Sequence, residues 1–158
     1  MPLTKASPLR WYALAALALA ADQATKAWAE SALADGWVRV TGFFSLVLLR
    51  NTGSAFSFLA DAGGWQQLFF GFVAVAVSAA LALVIRKNPS DRLVSGACAL
   101  VIGGALGNLI DRVRLGAVTD FLDFHAGALH WPAFNVADAA ICLGVFLFLL
   151  SEFRNSRK

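Results

Sequence analysis

Four long apolar stretches separated by polar connections form the main pattern of this 158-residue chain. They cover residues 9–29, 65–85, 93–110 and 136–153. Each is about 18 to 21 residues long, which is enough to cross a hydrocarbon core of ~30 Å as an α-helix. The pattern predicts four transmembrane helices in one domain that covers residues 1–158, without room for a separate soluble domain.

The connection after the first apolar stretch carries β-prone runs. Residues 37–40 and 43–49 are rich in β-branched and aromatic side chains, and Asn51-Thr52-Gly53 ends the second run. Backbone close to lipid must pair with itself or with water. We therefore expect a small sheet or hairpin over about residues 37–50, and the predicted fold class is membrane all-α with this β segment on the outer face.

The first apolar stretch has a second interpretation. Basic residues precede it, and Ala18-Leu19-Ala20 resembles the cleavage site of a signal peptide. Asp22 and Lys26, however, continue the helix with a polar face, and their spacing of four residues allows them to pair. Lys26 can also extend toward lipid headgroups. We favour a retained first helix.

Basic residues predict the orientation. Eight of the thirteen Lys and Arg flank the apolar stretches on one side, which the distribution of positive charge assigns to the cytoplasm: Lys5, Arg10, Arg86, Lys87, Arg92, Arg154, Arg157 and Lys158. Both termini are then cytoplasmic, and the two long connections face outward. The net charge of +3 thus indicates a membrane surface rather than nucleic acid.

Asp120 and Asp138 lie near the outer ends of apolar segments. A carboxylate near lipid costs several kcal/mol unless it is paired, neutralised or facing water. Two carboxyl groups within hydrogen-bonding range cannot both ionise easily, so one holds a proton while the other activates a water. This is the chemistry of an aspartic protease. The alternatives are a solvated loop for Asp120, and a helix-terminal role for Asp138 behind Asn135 as N-cap.

The third apolar stretch ends in a polar face. Gly103 and Gly107 have the spacing that lets helices pack closely. Asn108, Asp111 and Arg112 follow at positions that share one face of a helix. Arg112 can bind a carboxylate or phosphate through two hydrogen bonds, and a structural ion pair between Asp111 and Arg112 or a neighbouring residue is the alternative.

Other kinds of site and function have weaker support in the sequence. His125, His130 and Asp123 suggest a metal site, although two histidines in an interfacial loop are more often surface residues. Ser54 is a weak candidate nucleophile, and its segment reads better as a turn. A small proton-coupled transporter would use Asp120, Asp138 and Arg112 as a relay. A non-catalytic assembly protein would use the glycine-bearing helices to bind partners.

Five segments together resemble one family. Residues 22–26, 51–56, 103–112, 118–121 and 134–138 resemble, in order and over nearly the whole chain, the bacterial lipoprotein signal peptidases, or signal peptidase II. The resemblance implies an endopeptidase that cuts diacylglyceryl-modified prolipoproteins just before the lipidated cysteine. It also implies a multi-pass protein of the bacterial inner membrane, with its active site and β segment at the periplasmic face.

The resemblance also implies residue roles. Asp120 and Asp138 would be the catalytic pair, and the supporting or substrate-binding residues would be Asp22, Lys26, Asn51, Gly53, Gly104, Asn108, Asp111, Arg112 and Asn135. No metal or organic cofactor is implied, and globomycin is the implied inhibitor. We also expect a monomer, in which the β segment grips the substrate.

Overall fold

The computed structural model describes residues 7–53 and 65–157, so the candidate Ser54 lies outside the described residues. The described residues form four α-helices: α1 (Leu9–Ala32), α2 (Trp65–Lys87), α3 (Arg92–Leu115) and α4 (Val136–Asn155). Helix α3 lies at the centre, because it packs against each of the other three.

Three of these helices, α2, α3 and α4, are long and apolar enough to cross a membrane. The three predicted spans over residues 65–85, 93–110 and 136–153 therefore have the expected length and composition. The fourth predicted span is also helical, but α1 is not among the three. It carries Asp22, Gln23 and Lys26 along its second half.

The ends of α3 show why hydropathy does not mark the end of a helix. Asp91 caps the beginning by accepting hydrogen bonds from the backbone N–H groups of Leu93 and Val94 at 3.1 and 3.0 Å. The apolar pattern stops at residue 110, yet the helix continues through its charged residues to Leu115. It ends where Gly116 adopts a left-handed conformation with φ of 67°.

Glycines let α3 approach its neighbours closely. A Cβ atom on Gly103 would lie 2.6 Å from the carbonyl oxygen of Ala15 in α1. A Cβ atom on Gly104 would overlap the carbonyl oxygen of Ala137 in α4. The predicted packing role of Gly103 is confirmed, and Gly104 brings the first turn of α4 against the middle of the protein.

The strands form one antiparallel sheet in the order β1 (Val38–Arg39), β2 (Phe44–Asn51), β3 (Val118–Ala126) and β4 (Leu129–His130). The segment predicted over residues 37–50 supplies β1 and β2. Strands β3 and β4 enlarge the sheet beyond the prediction. Residues 118–121 and 123 of β3 are all buried, so this strand lacks the polar alternation that reveals a strand with one solvated face.

The two ends of the helix bundle differ. Arg10 and Trp11, at the start of α1, both donate hydrogen bonds to the carbonyl oxygen of Pro89 in the loop between α2 and α3, at 2.9 Å. The basic segments at the start of α1 and after α2 are therefore neighbours, as their charge pattern predicts. The sheet contacts α1 and α3, and Asp120 lies within it.

Candidate active site

Asp120 is buried in β3, with 3% of its surface exposed. Its register places it opposite Leu49 of β2. The Asn51 amide donates a hydrogen bond to Asp120 Oδ2 at 3.1 Å, and the Asn135 amide donates to Oδ1 at 2.7 Å. The solvated-loop interpretation of Asp120 is therefore wrong.

Asp138 lies in the first turn of α4 and is partly buried. The Asn108 amide of α3 donates a hydrogen bond to Asp138 Oδ1 at 2.8 Å. The Asp138 carboxyl group thus faces α3 as well as lying near the N-terminus of its own helix.

Asn135 connects the two aspartates. Its Oδ1 accepts the backbone N–H of Asp138 at 2.9 Å, which confirms the predicted N-cap. Its amide nitrogen donates to Asp120, to the carbonyl oxygen of Thr119 at 3.2 Å and to Asn108 Oδ1 at 3.3 Å. One buried side chain therefore holds the backbone of one aspartate and the carboxyl group of the other.

Both aspartates line a cavity of about 1000 Å³ between β2, β3, α3 and α4. Arg112 lines the same cavity, and its guanidinium lies 5.0 Å from the ring of Phe70 and donates to the carbonyl oxygen of Gly53 at 3.4 Å. Within the described part of the chain, Arg112 Nε is buried without a hydrogen-bond partner.

Electrostatics favour a protonated carboxyl group in this cavity. Burial, and then the nearby charge of Asp138, raise the pKa of Asp120 to about 7, against the lowering effect of hydrogen bonds from Asn51 and Asn135 and of the Lys26 charge. At neutral pH Asp120 is therefore protonated in a large share of molecules.

A buried ion cluster lies behind the aspartates. Lys26 Nζ lies 2.9 Å from Asp22 Oδ2 and 3.1 Å from Asp111 Oδ2, and it donates to Asn108 Oδ1 at 2.9 Å. The predicted pairing of Asp22 with Lys26 is confirmed. Lys26 does not extend toward headgroups, because it is 2% exposed. Asp111 pairs with Lys26 and not with Arg112.

Comparison with known proteins identifies the family. A sequence profile described as Signal peptidase (SPase) II matches residues 14–154. The chain belongs to the signal peptidase II family. A lipoprotein signal peptidase from Cupriavidus taiwanensis is 49% identical over 96% of this chain and 87% of its own length. Another from Shewanella woodyi is 50% identical over 94% and 85%.

Two solved structures have the same fold as this chain. A bacterial membrane enzyme solved at 2.3 Å by the in meso method superposes with a TM-score of 0.81 at 28% identity, covering 93% of this chain and 89% of that chain. A second, solved at 1.9 Å, has a TM-score of 0.75 at 28% identity and covers 90% and 91%. Family membership establishes a membrane protease and favours it over the transporter and assembly interpretations.

The structure brings the predicted site residues into one region. Asp120, Asp138, Asn51, Gly53, Asn108 and Arg112 line the cavity. Asn135 contacts both aspartates from behind, and Asp22, Lys26 and Asp111 form the ion cluster. Gly104 acts through backbone packing.

The histidines lie elsewhere on the sheet. His125 is buried and pairs with Ser45 at 3.0 Å, and His130 pairs with Asp123 at 2.9 Å. The prediction of two surface histidines is therefore wrong for His125. Across residues 7–53 and 65–157, no group of three or more His, Cys, Asp or Glu side chains is arranged to hold a metal ion.

Three further polar residues that the sequence did not indicate lie beside the site. Arg50 and Thr119 hydrogen-bond to each other, and Glu30 binds Arg50 at 2.9 Å and Thr119 at 3.1 Å. This group ties the end of α1 to β2 and β3 next to Asp120. No local spacing reveals it, since its members are far apart in sequence.

Proposed function

We propose that this protein removes signal peptides from diacylglyceryl-modified prolipoproteins as an aspartic endopeptidase, with Asp120 and Asp138 as the catalytic pair. The observation that carries the proposal is the convergence of the two carboxyl groups on one cavity, linked by Asn135, in a chain of the signal peptidase II family. Prolipoprotein processing is supported by the relatives. These are lipoprotein signal peptidases, and this chain matches them over most of their length.

The pair supplies general acid and base catalysis. One carboxylate takes a proton from a water molecule, which attacks the carbonyl carbon of the peptide bond before the lipidated cysteine. The protonated partner donates a hydrogen bond to the developing oxyanion and later gives its proton to the departing amine. The raised pKa of Asp120 supports a shared proton at neutral pH, and the two groups titrate as a unit.

The surrounding residues position the pair and the substrate. Asn51, Asn108 and Asn135 donate hydrogen bonds to the two carboxyl groups. Arg112 has an unpaired buried Nε within the described residues, and it would bind a carbonyl oxygen of the substrate. Strands β1 and β2, over residues 38–51, would hold the substrate chain against the cavity.

The same geometry supports a proposed membrane arrangement. Helix α1 would be the fourth membrane-spanning helix, since it packs along α3. Both termini would face the cytoplasm and the cavity the periplasm, because the basic segments lie at the end away from the sheet. The protein would act as a monomer.

Cleavage of a diacylglyceryl-modified prolipoprotein by the purified protein in detergent tests the function. We expect a gel shift that corresponds to loss of the signal peptide, with the new N-terminus at the lipidated cysteine. Globomycin should prevent the shift, and the same precursor without the diacylglyceryl group should be cleaved poorly. Folded protein that leaves the modified precursor intact would contradict the proposal.

The pH dependence tests the shared proton. Because the pKa of Asp120 is raised to about 7, the pair holds its proton below that pH and loses it as the pH rises through about 7. We expect kcat/KM to fall about tenfold per pH unit on the alkaline side. Initial rates between pH 5 and 9 measure this, and a rate that stays constant from pH 6 to 9 would exclude a required proton on the pair.

A further inference from the structure

The buried ion cluster of Asp22, Lys26 and Asp111 contacts the backbone next to both aspartates. Asp22 Oδ1 accepts the N–H of Ala137 at 2.8 Å, one residue before Asp138. Asp111 Oδ2 accepts the N–H of Thr119 at 2.9 Å, one residue before Asp120. The cluster therefore holds the backbone N–H of the residue before each of the two aspartates, on α4 and on β3.

Lys26 joins the two halves of this arrangement. Its ammonium group has three hydrogen-bond donors, and it has three close acceptors, on Asp22, Asp111 and Asn108. The amide of Asn108 in turn donates to Asp138 at 2.8 Å. A displacement of Lys26 would thus reach Ala137, Thr119 and the Asp138 carboxyl group together.

Gln23 and Gly107 also surround the ion cluster. The Gln23 amide donates to Asp22 Oδ2 and to Asp111 Oδ1, both at 3.2 Å. A Cβ atom on Gly107 would overlap the Asp22 carboxylate. Gly107 therefore makes room for a charged group between α1 and α3, which close helix packing alone does not need.

A buried set of three charges is a poor means of stabilisation, because desolvation offsets much of the attraction between the ions. Apolar side chains would join α1 to α3 at least as well. The use of charged groups with both carboxylates turned toward backbone N–H groups indicates a requirement for fixed positions.

We propose that the ion cluster of Asp22, Lys26 and Asp111 is the positioning device that sets the separation of Asp120 and Asp138. The three are positioning residues, since their contacts reach the aspartates through Ala137, Thr119 and Asn108. This proposal rests on the proposed function. It explains how the two carboxyl groups are held at the distance at which they share one proton.

The chemistry of the carboxylate gives the test. At Asp22 and Asp111 both oxygens accept hydrogen bonds, whereas an asparagine has one acceptor and turns its NH₂ group toward a donor. In Asp111→Asn, an amide oxygen at the Oδ1 position loses both the Thr119 N–H and Lys26, and an amide oxygen at the Oδ2 position turns its NH₂ group toward the Gln23 amide and leaves Lys26 without a charged partner there. We expect kcat to fall about ten- to a hundred-fold with KM within about twofold of wild type, as small displacements of catalytic groups cause.

The pH profile separates positioning from stability. Asp138, Arg112 and Lys26 are the charged groups that act on Asp120. If the pair moves apart, Asp138 raises the pKa of Asp120 less. The alkaline limb, meaning the fall of kcat/KM at high pH, then moves to lower pH. Lower thermal stability with unchanged kcat and an unchanged limb would reduce the cluster to a structural role and overturn the proposal.

Two further variants complete the experiment. Asp91→Asn is the matched control on α3, since it keeps the cap and lies at the other end of the helix, and its kcat should equal that of wild type. Asp111→Glu keeps the charge but displaces the carboxylate by one methylene, and it replaces Asp111→Asn if that variant does not fold. We expect Asp111→Glu to show the same loss of kcat, and wild-type kinetics would overturn the proposal. Absence of cleavage by folded wild type would instead reject the proposed function.

Discussion

Asp120→Asn and Asp138→Asn are each expected to lower kcat for prolipoprotein cleavage by about a thousand-fold or more. Removal of a positioned general acid or base costs about 10²- to 10⁴-fold, and in the proposed mechanism the lost group also shares the proton of its partner. The substitution keeps the shape of the side chain, so KM should change little. Single-turnover cleavage of the modified precursor measures the loss of the chemical step.

Thermal stability shows whether these variants fold, and the pKa of Asp120 predicts the direction in which it should change. The pKa of Asp120 is raised to about 7, so the stability that its neutral form provides is present below pH 4 and is lost as the pH rises through about 7. A neutral asparagine avoids the buried charge. Asp120→Asn should therefore melt at least as high as wild type at pH 8, although it is inactive.

The matched substitution on the same strand is Asp123→Asn. Asp123 is also buried in β3, but it pairs with His130 at 2.9 Å and does not line the cavity. Its cleavage rate should stay within a few-fold of wild type. The double variant of Asp120 and Asp138 should be no slower than the slower single variant, because residues that act as a unit are not additive. Cleavage at a wild-type rate by either single variant would contradict the catalytic pair.

The helices and the two aspartates were predictable because each depends on local pattern. The length of the apolar stretches indicates the helices. A carboxyl group near lipid is costly, so its presence indicates a functional role. The Asp22–Lys26 pair was also predictable from its spacing. Asp111 as the partner of Lys26 was not, because this contact depends on how closely Gly103 and Gly107 let α1 approach α3.

The sheet was only partly predictable from the local sequence. Strands β1 and β2 carry β-branched and aromatic residues and were predicted, whereas β3 is buried on most positions and carries both Asp120 and Asp123. Its identity as a strand follows from pairing with β2 and from Asp120 facing Asn51 and Asn135. These are contacts between distant segments, which no local window contains.

Asn135→Ser is expected to lower kcat about ten- to a hundred-fold, since loss of a positioning contact displaces the catalytic group it holds, and to cost about 1–3 kcal/mol of stability, since it leaves buried acceptors unpaired. Serine caps a helix about as well as asparagine, so the backbone N–H of Asp138 keeps an acceptor. Serine cannot reproduce the amide that donates to Asp120 Oδ1 at 2.7 Å. That hydrogen bond lowers the pKa of Asp120, so its loss should move the alkaline limb of the pH profile to higher pH, opposite to the shift expected for Asp111→Asn.

Asn135→Ala separates the two roles of this side chain. It removes the cap as well as the amide, so it should lose a further ~1 kcal/mol of stability relative to Asn135→Ser, while the alkaline limb shifts by the same amount in both. Thermal unfolding and the pH dependence of kcat/KM, measured on both variants, test this. An alkaline limb at the wild-type pH in Asn135→Ser would mean that the 2.7 Å contact does not control Asp120. Opposite shifts in Asn135→Ser and Asp111→Asn would instead show that the proton on the pair responds separately to a direct hydrogen bond and to the distance between the carboxyl groups.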